Sequence, residues 1–282
     1  MTMKLKSVYL IIYPMLSFLF LSMNSCAIKK HTDIDYGSRI SGITNHPDLN
    51  IFSSKNVTES LKPVLIFVYG GNWNSGRKGL YNYVGRNFAK HDMITVLPDY
   101  TKSPLVNVDQ MTTQIATSIK WVRDNIAKYG GDPERIYLTG HSAGGHLVAL
   151  AAMNPKYGIE QGTIQGIILN DAAGLDMATY LANHPPTADD DYLTTWTSDP
   201  EFWKQVSPIN FINEKTPRIK IYAGSNTYNS IISSNQRFLE GLKEHQPGAS
   251  IEWLDKSHIP MVSQLFWPWN DRFKEVRDFM NE

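Results

Sequence analysis

The amino-acid sequence predicts an α/β fold, in which helices cover both faces of a mostly parallel β-sheet. Three observations lead to this prediction. Short apolar runs rich in β-branched residues alternate with longer segments of helical periodicity along most of the 282 residues. Hydrophobic residues make up 42% of the chain, which is enough for a large core, and no internal repeat or low-complexity tract interrupts the alternation. A serine flanked by glycines stands where one apolar run gives way to a helical segment.

The predicted strands and helices follow a polar N-terminal region. Six apolar runs are predicted strands, namely residues 64–69, 94–97, 136–139, 164–169, 219–223 and 251–254. Four periodic segments are predicted helices, namely residues 81–90, 109–129, 144–153 and 231–244. The helix over 109–129 shows the period most clearly, and its predicted core positions are Met111, Ile115, Ile119, Val122 and Ile126. Near-continuous apolar strands separated by helices are typical of a parallel sheet buried on both sides.

Charge and cysteine content exclude several classes of function. The chain has 27 Lys and Arg residues against 27 Asp and Glu residues and no block of like charges, which argues against nucleic-acid binding and against a polybasic membrane surface. A single cysteine cannot form an internal disulfide, and no Cys and His spacing typical of a zinc site occurs. The acidic run 189–191 is more typical of a solvated turn than of a calcium loop. No metal site is therefore expected.

The N-terminus has the features of an export signal. Lys4 and Lys6 precede a mainly apolar run over 8–21, which is short for a spanning helix of about 20 apolar residues. The segment that ends at Cys26 resembles a bacterial lipoprotein signal, and this resemblance implies cleavage before Cys26 and acylation of that cysteine. An ordinary cleaved signal and an uncleaved anchor are the alternatives. All three interpretations place the chain outside the cytoplasm, and a lipid anchor in the cell envelope is the first expectation.

The chemistry begins at residues 137–145, Tyr-Leu-Thr-Gly-His-Ser-Ala-Gly-Gly, where a predicted strand runs through Gly-x-Ser-x-Gly into a predicted helix. A serine on so tight a turn projects its hydroxyl above the sheet, and Gly140 and Gly144 leave room for the backbone to cross. The N-terminal amides of the following helix can stabilise an anion that develops beside the serine. Ser142 is therefore the predicted nucleophile.

A second glycine motif follows the strand over 64–69. Consecutive glycines after a buried strand let backbone N–H groups face a substrate oxygen, so Gly70 and Gly71 are predicted to form an oxyanion hole with Ala143. The segment Gly-Gly-Asn-Trp at 70–73 resembles the His-Gly-Gly-Gly-Trp segment of α/β-hydrolase esterases. Residues 130–147 resemble the nucleophile region of the same family, in particular its carboxylesterase and kynurenine-formamidase-like branch. Two departures are Tyr69 in place of histidine and Asn72 in place of the third glycine.

The resemblance implies the α/β-hydrolase fold and the order nucleophile, acid, histidine along the chain. His258 alone among the eight histidines follows the last predicted strand, so it is the predicted base. His141 and His146 stand too close to Ser142 in sequence to fold back and take its proton.

The acid has three possible explanations, because no carboxylate follows the strand over 219–223, where the family normally has it. In the first, Asp171 at the end of the preceding strand replaces it, with Asp176 and Asp255 as lesser candidates. In the second, Asn226 orients His258 as an amide. In the third explanation the site is degenerate and binds a ligand without turnover.

The predicted domain order is a signal peptide over 1–25, a tether with early edge strands over 26–60, and an α/β-hydrolase domain over 61–282. A cap insertion over about 177–216 contains aromatic residues that are expected to line an apolar pocket. The predicted activity is that of a serine carboxylesterase acting on small carboxylic esters, with an N-formyl or other amide as the second substrate class. Covalent acyl transfer of this kind needs no cofactor.

Overall fold

The computed structural model describes residues 28–55, 60–187 and 192–282, which form one eight-stranded sheet flanked by helices. The strands are β1 (Ile28–Asp35), β2 (Asp48–Ser54), β3 (Lys62–Val68), β4 (Ile94–Pro98), β5 (Gly131–His141), β6 (Ile164–Asn170), β7 (Arg218–Gly224) and β8 (Ile251–Leu254). The α-helices of the described ranges are α1 (Asn82–Ala89), α2 (Val108–Asn125), α3 (Ala143–Met153), α4 (Met177–Asn183), α5 (Tyr192–Trp196), α6 (Pro200–Gln205), α7 (Asn229–Lys243), α8 (His258–Ser263) and α9 (Arg272–Asn281).

The strand order is β1-β2-β4-β3-β5-β6-β7-β8, and β2 alone runs in the direction opposite to the other seven strands. The predicted α/β-hydrolase fold is confirmed by this mostly parallel sheet with helices around it. Because parallel strands end at one edge, the loops after β3, β5, β6, β7 and β8 meet there. The first residue of β1, Ile28, pairs with Ser54 and therefore lies at the opposite, amino edge of the sheet.

The core lies on both faces of the central strands. Every residue of β4 is buried, as are residues 63–68 of β3. Helix α2 packs on this core through Met111, Ile115, Ile119 and Val122, and the predicted core residue Ile126 packs from the 3₁₀ turn that follows; none of the five has exposed surface. The helix begins at a capping box in which the Asn107 side chain accepts a hydrogen bond from the Gln110 N–H and Gln110 accepts one from the Asn107 N–H.

Several boundaries differ from the sequence prediction. Strand β5 begins at Gly131, five residues before its predicted start, because Gly131 pairs with Lys62 across an irregularity in the ladder. The predicted helix over 109–129 ends at Asn125 and continues as a 3₁₀ turn to Tyr129. Within the region 26–60, predicted as a tether with early edge strands, β1 pairs with β2 at one edge of the sheet. The predicted signal peptide, Cys26 and the acidic run 189–191 lie outside the described residues.

Candidate active site

Ser142 stands on a strained turn between β5 and α3. Its backbone has φ 55° and ψ −126°, outside the ordinary regions for a residue with a side chain. The surrounding chain comes very close: a Cβ on Gly144 would lie 2.1 Å from the Val68 carbonyl oxygen, and one on Gly70 would lie 2.7 Å from the Ser142 Cβ. Glycines at these two positions therefore let α3 pack directly on β3 beside the serine.

His258, the first residue of α8, contacts Ser142. Its Nε2 lies 2.9 Å from the Ser142 Oγ, and its Nδ1 lies 2.5 Å from the Asp171 Oδ2. A carboxylate only accepts hydrogen bonds, so Nδ1 carries the proton and Nε2 presents its lone pair to the serine hydroxyl. The structure thus brings the three predicted residues together in the tautomer that a general base requires.

Asp171, immediately after β6, supplies the carboxylate of this arrangement. The residue has no exposed surface and a left-handed backbone with φ 51°. Its Oδ1 accepts a hydrogen bond from the Gly224 N–H at 2.9 Å, and its Oδ2 accepts one from the Thr227 hydroxyl at 2.6 Å as well as the one from His258. Both oxygens of the buried carboxylate therefore have partners, which offsets the cost of removing it from water.

The other acid candidates contact different groups. The Asn226 amide donates to the Asp255 carboxylate at 2.6 Å, whereas the His258 Nδ1 bonds Asp171. Asp176 caps α4 by accepting from the Thr179 N–H at 3.2 Å, and its other oxygen accepts from the Arg237 Nε at 2.5 Å. The amide-triad explanation and the two lesser carboxylates are therefore not supported by the contacts.

Thr227 is the site residue that sequence reasoning missed. Its hydroxyl bonds Asp171 and also lies 3.4 Å from the His258 Nδ1. It stands three residues after β7, in the turn where the family normally has its acid. A hydroxyl side chain in a polar turn is common, so only its position after this particular strand could have pointed to it.

The loop after β3 carries Gly70 and Gly71, two of the residues predicted to form the oxyanion hole. The Gly71 carbonyl oxygen accepts hydrogen bonds from the N–H groups of Asn74 and Ser75, at 3.1 and 2.9 Å, and this turns the loop back on itself. The Asn72 side chain accepts a hydrogen bond from the Tyr192 hydroxyl at 2.9 Å, so it is turned towards the cap. Ala143 is the first residue of α3, and the N–H of a first helical residue has no acceptor within its helix. Gly70, Gly71 and Ser142 line one cavity.

Tyr69, which replaces the family histidine, supports this loop from below. Its hydroxyl donates to the Asp99 carboxylate, and its ring stacks between the rings of Tyr81 and Tyr100, with centroids 5.4 and 5.0 Å apart. The side chain has no exposed surface, and burial raises the pKa of the phenol far above its ordinary value. The phenol therefore stays protonated and acts as a fixed donor.

The two histidines beside the nucleophile hold the surroundings of the site. The His141 ring packs against the His258 ring at 4.6 Å, and its Nε2–H donates to the His258 carbonyl oxygen at 3.0 Å. His146 accepts from the Trp73 indole N–H at 3.3 Å and donates to the Val206 carbonyl oxygen at 2.7 Å. Burial lowers the pKa of each ring to about 4, with the neighbouring His258 as a further cause for His141. Both rings are therefore neutral near pH 7.

A cavity of about 820 Å³ opens over Ser142. Its wall is mainly apolar and aromatic, and includes Trp73, Leu80, Tyr81, Met177, Tyr180, Tyr192, Tyr228, Ile231, Ile259, Val262 and Phe266. The cavity is large enough for a small ester and joins an apolar wall to a few converging polar groups, as ligand sites generally do.

The cap only partly lines this cavity. Tyr180 and Tyr192 reach it, as expected for aromatic residues of the segment 177–216. Trp196 and Trp203 do not: they are 0% and 6% exposed, and the Trp203 indole N–H donates to the Trp196 carbonyl oxygen at 3.0 Å. The Trp196 ring meets the Trp73 ring edge-on at 4.8 Å. These two indoles form the interior of the cap because their large apolar surface is more stable away from water.

Over the described ranges, one group of three side chains has the spacing of a metal site, namely His141, Asp171 and His258, whose ligand atoms lie within 4.8 Å of one another. These are the residues of the hydrogen-bond network around the serine, and this network accounts for their proximity. The same ranges contain no helix with both the length and the apolar character needed to cross a bilayer.

A protein-family model, BD-FAE, matches residues 49–238. Among curated proteins, the chain is 41% identical over 95 residues to the isoprenylcysteine alpha-carbonyl methylesterase ICME of Arabidopsis thaliana. The aligned segment covers 34% of the chain and 22% of that protein. It is 31% identical over 177 residues to esterase LipQ of Mycobacterium tuberculosis, covering 57% of the chain and 41% of LipQ. The chain thus spans less than half the length of these curated relatives.

Solved structures show the same fold at low identity. A truncated form of a carbohydrate esterase from gut microbiota superposes with a TM-score of 0.74 and 22% identity, covering 90% of this chain and 95% of that one. Esterase B from Lactobacillus rhamnosis superposes with a TM-score of 0.72 and 17% identity, covering 90% and 84%.

Proposed function

The chain belongs to BD-FAE, a family of α/β-hydrolase esterases, and we propose that it is a serine hydrolase that cleaves small carboxylic esters through an acyl-enzyme. One observation carries the proposal. The Ser142 hydroxyl, the His258 imidazole and the Asp171 carboxylate form an unbroken hydrogen-bonded series, with distances of 2.9 and 2.5 Å, beside the cavity.

In the first half of the reaction, the Ser142 oxygen attacks the ester carbonyl carbon while His258 Nε2 takes the serine proton. The negative carbonyl oxygen of the tetrahedral intermediate faces the N–H groups of Gly70, Gly71 and Ala143. Loss of one such donor typically lowers the rate by about 10²–10³. The intermediate then expels the alcohol, which receives the proton from His258, and the acyl group stays on Ser142.

In the second half, water replaces the alcohol. His258 takes a proton from the water as the water oxygen attacks the acyl carbon, and it returns that proton to the Ser142 oxygen as the acid leaves. Asp171 stabilises the imidazolium that forms in each half, because its buried negative charge lies directly against Nδ1.

The same assay also tests a second substrate class and the alternative of ligand binding without turnover. The resemblance to the kynurenine-formamidase-like branch gives N-formyl amides as the second substrate class. The ligand-binding explanation rests on the absence of a carboxylate after β7. In the structure the Asp171 carboxylate, which follows β6, contacts His258 instead.

The test is a stopped-flow burst assay with p-nitrophenyl acetate and butyrate, with N-formyl amides tested in parallel by product analysis. We expect a burst of about one p-nitrophenol per chain, abolished in Ser142→Ala and retained in Ser225→Ala. Ser225 is a suitable control because its hydroxyl bonds the Leu254 carbonyl oxygen, at 3.1 Å, and not the site. A phosphonate inhibitor should add mass at Ser142 alone. Equal bursts from the parent and Ser142→Ala would refute the proposal.

For location, we propose export and lipid attachment at Cys26. The support is the sequence alone: the basic start, the apolar run over 8–21 and the single cysteine at the cleavage position.

A further inference from the structure

The turn after β7 contributes a hydroxyl to the contact between acid and base. We infer that Thr227 is a positioning residue for the Asp171 and His258 pair, and that position 227 can itself carry the acid of the site. The inference rests on the proposed serine-hydrolase function. The residue lies outside both glycine motifs of the site.

The direction of the Thr227 hydrogen bond follows from its partners. The Asp171 carboxylate accepts only, so the hydroxyl donates its proton to Oδ2 at 2.6 Å. The same Oδ2 accepts the His258 Nδ1–H at 2.5 Å, and the hydroxyl oxygen itself lies 3.4 Å from Nδ1. The threonine thus packs against the acid and the base at once, and its lone pairs lie beside the imidazole proton.

The second donor to the carboxylate explains why the hydroxyl matters. The Gly224 N–H holds Oδ1 at 2.9 Å, and the Thr227 hydroxyl holds Oδ2. Together they fix the rotation of the carboxylate about its Cβ–Cγ bond, so Oδ2 points at Nδ1 before any charge develops. Without the hydroxyl, one oxygen of a fully buried carboxylate keeps only the imidazole as a donor. The acid then has more freedom to turn away from the base.

Position 227 is within reach of the imidazole for a carboxylate of its own. An aspartate there directs its Cγ along the bond that now carries Oγ1, with a shift of the residue-171 side chain because Oγ1 lies only 2.6 Å from Oδ2, and its oxygens extend about 1.2 Å beyond the Cγ. The present gap of 3.4 Å between Oγ1 and Nδ1 then becomes a hydrogen-bond distance. If residue 171 is asparagine, its amide N–H can donate to the new carboxylate. In this double variant the carboxylate follows β7 and the hydrogen-bond donor follows β6, which is the reverse of the parent.

The first experiment compares Thr227→Val with Thr227→Ser and with Ser225→Ala as the matched control in the same turn. Valine keeps the shape but removes the donor, and we expect kcat/KM for p-nitrophenyl butyrate to fall about tenfold, equivalent to about 1.4 kcal/mol. The loss should fall on kcat and not on KM. Serine should restore at least half of the activity. Ser225→Ala should match the parent.

Proton NMR gives a signal that would not change if Thr227 had only a structural role. The His258 Nδ1 proton, held between nitrogen and Oδ2, should give a far-downfield resonance in the parent, in Thr227→Ser and in Ser225→Ala. It should shift upfield or broaden in Thr227→Val at an unchanged melting temperature. A valine variant with parental kcat and an unchanged resonance would overturn the positioning role.

The second experiment moves the acid. We expect Asp171→Asn to lose at least about 10³-fold in kcat. The double variant, Asp171→Asn with Thr227→Asp, should have a kcat at least about thirtyfold higher than that of Asp171→Asn. A double variant no more active than Asp171→Asn would overturn the claim that position 227 can carry the acid. Failure of the proposed function itself would be seen separately, as a parent protein without a Ser142-dependent burst.

Discussion

The replacement Asp171→Asn tests the assignment of the acid with almost no change in shape. The amide oxygen can keep the Gly224 N–H, which now bonds Oδ1 at 2.9 Å, so the amide nitrogen takes the place of Oδ2. Its two N–H groups then face the His258 Nδ1–H and the Thr227 hydroxyl. In the parent, the His258 Nδ1 lies 2.5 Å and the Thr227 Oγ1 lies 2.6 Å from the Asp171 Oδ2. Donor would face donor at the imidazole.

The imidazole can relieve that conflict only by moving its proton to Nε2. It then points an N–H at the Ser142 oxygen and no longer accepts the serine proton. The equivalent replacement in a serine protease lowers turnover about 10⁴-fold. We therefore expect at least about a 10³-fold loss in kcat, roughly 4 kcal/mol in activation free energy.

The assay is single-turnover acylation by p-nitrophenyl butyrate, with circular dichroism to show that the fold is retained. Asp255→Asn is the matched control, because Asp255 stands three residues before His258 yet bonds the exposed Asn226 side chain. It should keep parental activity. The reasoning would be refuted if Asp171→Asn stayed within tenfold of the parent while Asn226→Ala was inactive. That pair of results would establish an amide triad.

Three further predictions follow from the loop, the buried histidines and the N-terminus. Tyr69→His should change turnover less than tenfold, under about 1.4 kcal/mol, because the phenol bonds Asp99 behind the loop; steady-state kinetics check this, and a collapse beyond a hundredfold would give the phenol a direct role. The pKa values of His141 and His146 are lowered from 6.5 to about 4, so their contribution to stability is complete above pH 6.5 and is lost as the pH falls towards 4. At pH 5 the free energy of unfolding should be about 2 kcal/mol lower per histidine than at pH 7.5; urea unfolding at both pH values measures it, and equal stabilities would contradict the buried neutral state. Cys26→Ser should lose metabolic fatty-acid labelling and detergent partitioning, whereas a labelled variant would exclude the lipid anchor.

Local sequence patterns predict the sheet and the positions of the nucleophile and base. The strand, glycine-flanked serine and helix around Ser142 form a continuous segment, so their geometry is determined by neighbouring residues. His258 follows from its place after the last predicted strand. Asp171 follows from its place after the neighbouring strand, although the sequence left Asn226 open as an alternative.

Contacts between distant segments were not predictable in the same way. Thr227 meets Asp171 across 56 positions of sequence, and its residue type is ordinary for a turn. Trp196 and Trp203 resemble pocket-lining aromatic residues in the sequence, but packing within the cap buries them. The early start of β5 depends on pairing with Lys62, and the segment around it looks like a turn when read alone. Each of these features is decided by a partner that local periodicity does not identify.

The direction of β1 determines how a lipid-anchored form would face a bilayer. Ile28 lies at the amino edge of the sheet, two residues after Cys26, whereas the loops that carry Ser142, Asp171 and His258 lie at the carboxyl edge. A strand of this kind rises about 3.3 Å per residue, so the eight residues of β1 separate the two edges by roughly 25 Å. A lipid on Cys26 would therefore hold the base of the molecule against the membrane and turn the mouth of the cavity outwards. Such an enzyme would take its esters from the surrounding medium and not from the lipids to which it is attached.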